Sequence, residues 1–325
     1  MLYIENNSTD PYYNLALEEH LLNCGGDEDI LLLWQNENTV VVGRYQNTAQ
    51  EINELFCRMN NIRISRRNTG GGAVYHDLGN LNFSIITDYK QGDDISFGRF
   101  LNQVREALHK LGIDAQLQGR NDLVVDGRKI SGSAQTIQKG RILHHGTLLC
   151  CTNLDMLSGA LQNDPEKFES KATTSVRSRV ANIQDFNKTV TVSLLKSSLV
   201  SEFGRSMPLK QRELNAADIT GTKRLQKNKY ETWQWNYGES PAFNFSKKTR
   251  FPQGTVAVSL VVEEGIIRQC AINGDFLGCL DISDVEKALV GVKRQFTDVA
   301  TRILNFDAGL YFGGVSAENI AECFF

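Results

Sequence analysis

Two arginines, three consecutive glycines and a His-Asp pair fall inside RRNTGGGAVYHD, the stretch from Arg66 to Asp77. Glycine loses more backbone freedom on ordering than any other residue, so three in a row call for a compensating interaction. One form of compensation is close approach of backbone N–H groups to an anion, with arginine supplying charge. A plain tight turn is the alternative. Neither a GxxxxGK[ST] loop nor a GxGxxG sequence opening a helix is present, so a phosphate bound here would sit in a different geometry. His76 and Asp77 are of metal-ligating type, but turn capping ranks above metal for Asp77.

A second group of reactive residues lies in GRNDLVVDGRKISGSAQ, residues 119–135. Asp126-Gly127 between two β-like runs is a strong short hairpin signal. That hairpin presents Lys129, and Ser131, Gly132 and Ser133 behind it are small enough to admit a ligand. Asp122 is a candidate proton acceptor or metal ligand; with Asn121 it could equally cap a turn. His144 and His145 alternate along the β-like ILHHGTLLC, so one of them faces inward. By the same alternation Arg66 and Arg67, at the end of IRISRR, point to opposite faces, and only one can reach a shared pocket.

The surrounding elements read as follows. Asp10-Pro11 starts a helix that places Leu15, Glu18 and Leu22 on one stripe and Ala16, Leu17 and Leu21 on another. ILLLW (30–34) and TVVVG (39–43), separated by QNEN, predict a β-hairpin. Thr48 to Glu51 forms a capping box for a helix running to about Asn60. From Ser96 to Gly112, Phe97, Phe100, Leu101, Val104 and Leu108 recur at helical spacing. Further helices are expected near 153–161 and 191–203, with a loop over SKATTSVRSRVAN between them. SKKTR, bracketed by Pro241 and Pro252, reads as a linker. The expected division is residues 1–245 and 246–325, the second a small α+β unit with strands TVAVSLVVEE and GIIRQCAIN and two helices after them. Hairpins mixed with amphipathic helices predict an α+β fold with a largely antiparallel sheet flanked by helices.

Composition narrows the function. With 325 residues, 41% hydrophobic and 22% charged, the chain can bury a sizeable core. A net charge of −3 argues against a nucleic-acid backbone as the main partner, so any phosphate site is local. No apolar run approaches the roughly 18–20 residues of a membrane span, and MLYIENNSTD lacks the features of a secretory leader. Seven cysteines without a CxxC pair fit neither a zinc site nor a disulfide framework, which leaves reduced thiols in a cytoplasmic protein.

These motifs come in order with HHGTLLC (144–150) and SVRSRVANI (175–183). They are preceded by DPYYNLALEE, LLLWQN and TVVVGRYQN, and followed by WQWNYGESPAF (233–243). Together they closely resemble lipoate-protein ligases. The resemblance implies the fold shared by lipoate- and biotin-protein ligases, with lipoate, ATP and Mg2+ as ligands. The implied activity activates lipoate to lipoyl-AMP and transfers the lipoyl group to a lysine of lipoyl domains of 2-oxoacid dehydrogenase E2 subunits or of the glycine cleavage H protein. It implies that Lys129 contacts both the lipoate carboxylate and the α-phosphate. It favours Arg67 over Arg66, assigns Arg67, Gly72, Ala73, Val74 and Tyr75 to the nucleotide, and puts His145 near the acyl pocket. Backbone N–H groups from Gly70 and Gly71 onward would cradle the phosphates, with Asp122 nearby as base or tentative metal ligand. Burying the four-methylene tail contributes roughly 3 kcal/mol, so an apolar slot is needed, and Trp34, Val42 and Leu17 are its expected lining.

One departure stands out. Where the family commonly continues GSA with an aromatic residue and an arginine, this chain has Gln135 and Thr136, which makes Lys139 or Arg141 the expected substitute. Two other activities compete: an octanoyl or lipoyl transferase, kept open by the adjacent Cys150 and Cys151 or by a preformed acyl donor, and a non-catalytic adenylate-binding module.

Overall fold

The computed structural model describes residues 1–24, 26, 28–46, 48–161, 179–237, 245–263, 266–294 and 296–325. Its strands are β1 (Leu2–Glu5), β2 (Ile30–Trp34), β3 (Thr39–Val42), β4 (Arg63–Arg66), β5 (Val74–His76), β6 (Asn80–Asp88), β7 (Gln116–Gln118), β8 (Asp122–Val125), β9 (Arg128–Gln138), β10 (Arg141–Leu149), β11 (Lys210–Gln211), β12 (Phe245–Phe251), β13 (Gly254–Glu263) and β14 (Ile266–Gly274). The main sheet has eight of them in the order β11-β1-β2-β6-β10-β9-β8-β7. It is antiparallel from β2 to β7 and parallel only along β11-β1-β2.

Alternation sorts the side chains of this sheet between two cores. Leu33, Phe83 and Ile85 point to the face covered by the helices Phe97–His109 and Val192–Ser206. Ile30, Leu32, Trp34, Ile86 and Leu143 point to the opposite face, under the helix Pro11–Cys24. The mixed, largely antiparallel architecture flanked by helices is the predicted one. The Asp126-Gly127 hairpin also forms, between β8 and β9, with both turn residues at positive φ (49° and 72°).

Three expectations are corrected. ILLLW and TVVVG are not a hairpin: β2 joins the main sheet, whereas β3 lies between β4 and β5 in a separate three-stranded sheet. Both strands are buried on both faces, so each needs packing layers above and below it, which an isolated two-stranded hairpin does not supply. The helix expected to run from Thr48 to about Asn60 is two pieces, Thr48–Glu51 and Glu54–Met59. The second has its own start, because the Asn53 side chain accepts from the Phe56 N–H. SKKTR is part of strand β12, paired with β13 along its length. Most of the SKATTSVRSRVAN loop, and Pro241, lie outside the described residues.

Residues after 245 build a core of their own around Val256, Val258, Leu260, Phe276 and Phe312, and Tyr45 completes it. The Tyr45 ring stacks on Phe276 with centroids 5.0 Å apart, and Arg44 pairs with Asp281 at 2.5 Å. β3 leads directly into Gly43, Arg44 and Tyr45, so the glycine-bearing small sheet and the C-terminal residues are held together beside the main sheet.

Candidate functional site

A cleft opens between the main sheet and the small sheet. Leu15, Trp34, Val41, Ala73 and Val74 supply apolar wall; Arg67, His76, Asn82, Asn121, Lys129, His145 and Thr147 supply polar groups. Leu277 reaches in from the C-terminal residues.

Lys129 is the cleft's exposed cation. The hairpin sets it one residue into β9, and its Nζ lies 2.8 Å from Asp122 Oδ1, with the two side chains 38% and 31% exposed. Its position depends on Gly132: a Cβ there would stand 2.8 Å from both Cε and Nζ of Lys129. The side chain therefore folds over a residue that has none.

Arg67 is the buried cation. Its Nη2 donates to the carbonyls of Gly70 (2.7 Å) and Gly72 (2.9 Å), and its Nη1 to that of Val41 (3.2 Å), so it fastens the glycine loop to β3. Burial lowers its pKa to about 10, opposed by the charge of Glu18. Between these two charges runs a hydrogen-bonded network whose donors all point one way. Arg67 Nε donates to Thr69 Oγ1 (2.9 Å), which leaves the Thr69 hydroxyl proton for His145 Nε2 (2.8 Å). The His145 proton therefore sits on Nδ1 and goes to Glu18 Oε1 (2.8 Å). From the other side, Trp34 Nε1 donates to Ser84 Oγ (2.9 Å), and Ser84 donates to the same Glu18 oxygen (2.6 Å). Every buried group in this run has a partner, which is what a low-dielectric site requires.

The glycine loop also meets the C-terminal residues. Gly71, at φ 93°, donates its N–H to the Phe276 carbonyl at 3.1 Å, and a Cβ on Gly70 would lie 2.5 Å from that same oxygen. Part of the demand for glycine thus comes from packing backbone on backbone. Nothing lies within 4 Å of where a Cβ on Gly72 would stand.

The sequence matches the lipoyl protein ligase A/B catalytic domain over residues 10–204 and the bacterial lipoate protein ligase C-terminus over residues 240–324. The lipoate-protein ligase LplJ of Bacillus subtilis (strain 168) is 41% identical over 329 aligned positions, which cover 99% of each chain. This chain belongs to the lipoate-protein ligase family. Among solved structures, that of P. falciparum LipL1 in complex with lipoate aligns at a TM-score of 0.81 and 27% identity, covering 94% of both chains. A lipoate-protein ligase A bound with ATP aligns at 0.62 and 30% identity, covering 73% of this chain and 98% of the other.

The ligase brings most of its sequence-predicted site residues to one cleft. Lys129, Arg67, Gly71, Gly72, Ala73, Val74, Trp34 and His145 all line it. His145 faces in, while His144 stacks on Phe100 in the opposite core with ring centroids 4.6 Å apart. Arg66 turns away from the cleft, toward the carbonyls of Gly43, Gln46 and Trp235. Five expected residues do not line the cleft: Gly70, which packs on the Phe276 carbonyl, Asp122, which pairs with Lys129, and Val42, Tyr75 and Leu17. Val42 and Tyr75 face the core behind the small sheet, because alternation sends Val41, Val74 and His76 to the cleft instead. Leu17 is buried against the sheet, and Leu15, on the other helical stripe, takes the lining position. Gly71 N–H is engaged by Phe276 rather than free for an anion.

Neither Lys139 nor Arg141 lines the cleft of this ligase. Lys139 sits in the β9–β10 turn at φ 49°, and Arg141 is held by Asp88 and by the carbonyls of Gly26 and Glu28. Gln135 and Thr136 instead bond the carbonyls of Ile95 and Cys279. Sequence reasoning missed the roles of Glu18, Thr69 and Ser84. For Glu18 the available signal was a carboxylate on an apolar helical stripe.

The thiols are poorly placed for chemistry. Burial pushes the Cys150 thiol up to about 12, and neither Cys150 nor Cys151 lines the cleft. Among the described residues no three His, Cys, Asp or Glu side chains gather as a metal site. A magnesium ion shared with substrate phosphates needs as little as one carboxylate oxygen. Asp122 Oδ1, near Lys129 but without an aligned hydrogen bond, is the atom that fits such an ion.

Proposed function

We propose that this ligase works in two half-reactions on the face of the cleft that carries Lys129. In the first, a lipoate carboxylate oxygen attacks the α-phosphorus of ATP; the new O–P bond forms as the bond to pyrophosphate breaks, giving lipoyl-AMP. In the second, a lysine amine of a lipoyl domain attacks the acyl carbon, AMP leaves, and the nitrogen gives up a proton. The observation that carries this reading is one exposed ammonium sharing a cleft with an apolar slot and an arginine-fastened glycine loop.

Two anions must meet in the first step, and a fixed cation between them lowers their repulsion where charge builds up. Lys129 fits that role once its ammonium turns from Asp122 to the substrate oxygens. Asp122 would then be free to hold a magnesium ion, which when bound neutralises phosphate charge. In the second step the amine starts protonated: at a pKa of about 10.4, only roughly one in 2,500 is neutral at pH 7. Asp122, beside Lys129, is the carboxylate we assign to accept its proton.

We assign residues 1–245 to catalysis and 246–325 to an accessory unit that moves off the glycine loop, freeing Gly71 for phosphate. The acceptors we assign are lipoyl domains of 2-oxoacid dehydrogenase E2 subunits and glycine cleavage H protein. Seven cysteines without a disulfide suit the reducing cytoplasm. No described helix is long and apolar enough to cross a membrane.

Pyrophosphate release with lipoate and ATP, acceptor omitted, tests the reading. The ligase releases pyrophosphate; a transferase with a preformed donor, or a binding module, releases none.

A further inference from the structure

Two residues that line the cleft each carry a buried N–H donor without an acceptor among the described residues, and chains of asparagine amides hold both in place. Asn6 Nδ2 donates to Asn14 Oδ1 (2.7 Å), Asn14 Nδ2 to Asn36 Oδ1 (2.9 Å), and Asn36 Nδ2 faces His76 Nδ1 at 3.1 Å. An amide nitrogen can only donate, so Nδ1 accepts and the ring proton lies on Nε2. Burial, reinforced by Arg67 and His145, pulls the His76 pKa down to about 3, so the ring is neutral. Its Nε2 has no partner. In the second chain Asn80 Nδ2 donates to Asn82 Oδ1 (3.0 Å), which leaves Asn82 Nδ2 as another donor with no partner. His76 is 3% exposed and Asn82 1%.

Buried donors are almost always satisfied, and two unsatisfied ones on the two sheets that bound the cleft point to an acceptor brought by the ligand. We propose that His76 Nε2–H and Asn82 Nδ2–H select an acid whose far end carries a weak neutral acceptor, the ring sulfurs of a dithiolane, over a purely hydrocarbon acid of the same shape. The proposal rests on the lipoate-activating reading for its direction, carboxylate at Lys129 and tail inward. The Lys129 ammonium lies over Gly132 on β9, and Asn82 is on β6, with Thr147 of β10 between them. Two strand spacings are roughly 10 Å, the reach of an eight-carbon acid lying extended. Trp34, register partner of Asn82 on β2, closes that end; its ring meets the His76 ring edge-on at 6.2 Å. Neutral donors suit sulfur, a weak acceptor, whereas a charged imidazole would draw a carboxylate into the same place.

Calorimetric binding of lipoate and of cyclopentylpentanoate, in which methylenes replace both sulfurs, reads these donors without ATP. The full-length protein is expected to bind lipoate roughly three- to tenfold more tightly. That ratio should fall toward one in Asn82→Leu and in His76→Phe. Equal affinities in the wild type, or a ratio that survives both substitutions, overturns the proposal. Pyrophosphate release is measured in parallel: selective binding without pyrophosphate leaves this selection standing and overturns the ligase mechanism instead.

Discussion

His145 donates its Nδ1–H to Glu18 Oε1 at 2.8 Å, although 127 residues separate them. The contact joins the sheet wall of the cleft to the helix Pro11–Cys24 and, through Thr69, to the arginine that holds the glycine loop. Glu18→Ala leaves His145 and Ser84 donors unpaired and removes the buried negative charge facing Arg67. A loss of about 3 kcal/mol in unfolding free energy is expected from these combined effects. Urea denaturation at pH 7 checks it; a change below about 0.5 kcal/mol, the scale of ordinary surface substitutions, would show that the network is not the strut described.

Gly132→Ala should separate catalysis from stability. The new Cβ collides with the far end of the Lys129 side chain, which can swing aside at little folding cost. The ammonium then leaves Asp122 and the reacting oxygens. Catalytic efficiency is expected to fall about tenfold or more, given the sensitivity of positioned groups to small displacements, while the melting temperature stays close to wild type. An unaltered rate would mean that this seat for Lys129 is irrelevant to turnover.

Gly70→Ala acts on the other wall. Its Cβ would press on the Phe276 carbonyl, a backbone atom with little freedom to yield. The Gly71 N–H should lose its acceptor and exchange with solvent faster than in the wild type, which amide hydrogen exchange measures site by site. Identical protection at Gly71 in both proteins would contradict the seat between loop and C-terminal residues.

Acid should weaken the fold before carboxylates titrate. Burial lowers both His76 and His144 to about 3, below the 6.5 of an unfolded histidine. The folded state binds fewer protons, so the contribution is whole above about pH 6.5 and is lost as pH falls from there toward 3. Each histidine contributes about 1.4 kcal/mol per pH unit in that window. Urea midpoints from pH 7 to pH 4 should drop steadily, and more gently in His144→Leu.

Local chemistry was legible in the sequence where its cause is local. The Asp126-Gly127 turn needs only its own φ angles, and the stripe of Phe97, Phe100 and Val104 needs only one helix. Choosing between Leu15 and Leu17, or between Val41 and Val42, requires the phase of an element against a distant sheet, which alternation alone does not give. The same holds for Gly71 and Phe276, whose contact spans the chain. SKKTR was hidden by charge: Lys248 and Arg250 fill the exposed side of β12, so its two-residue alternation reads as polar linker. ILLLW and TVVVG are apolar throughout, which signals burial without saying in which sheet.

The proposed mechanism depends most on the Lys129 ammonium, and single-turnover pyrophosphate release by Lys129→Ala, with lipoate and ATP saturating and no acceptor, tests it most directly. With that cation gone, the rate is predicted to fall roughly 100- to 1,000-fold, the scale of losing one preorganised electrostatic contact. A variant that is folded and releases pyrophosphate within about threefold of wild type, less than the effect of a single ordinary hydrogen bond, would contradict it.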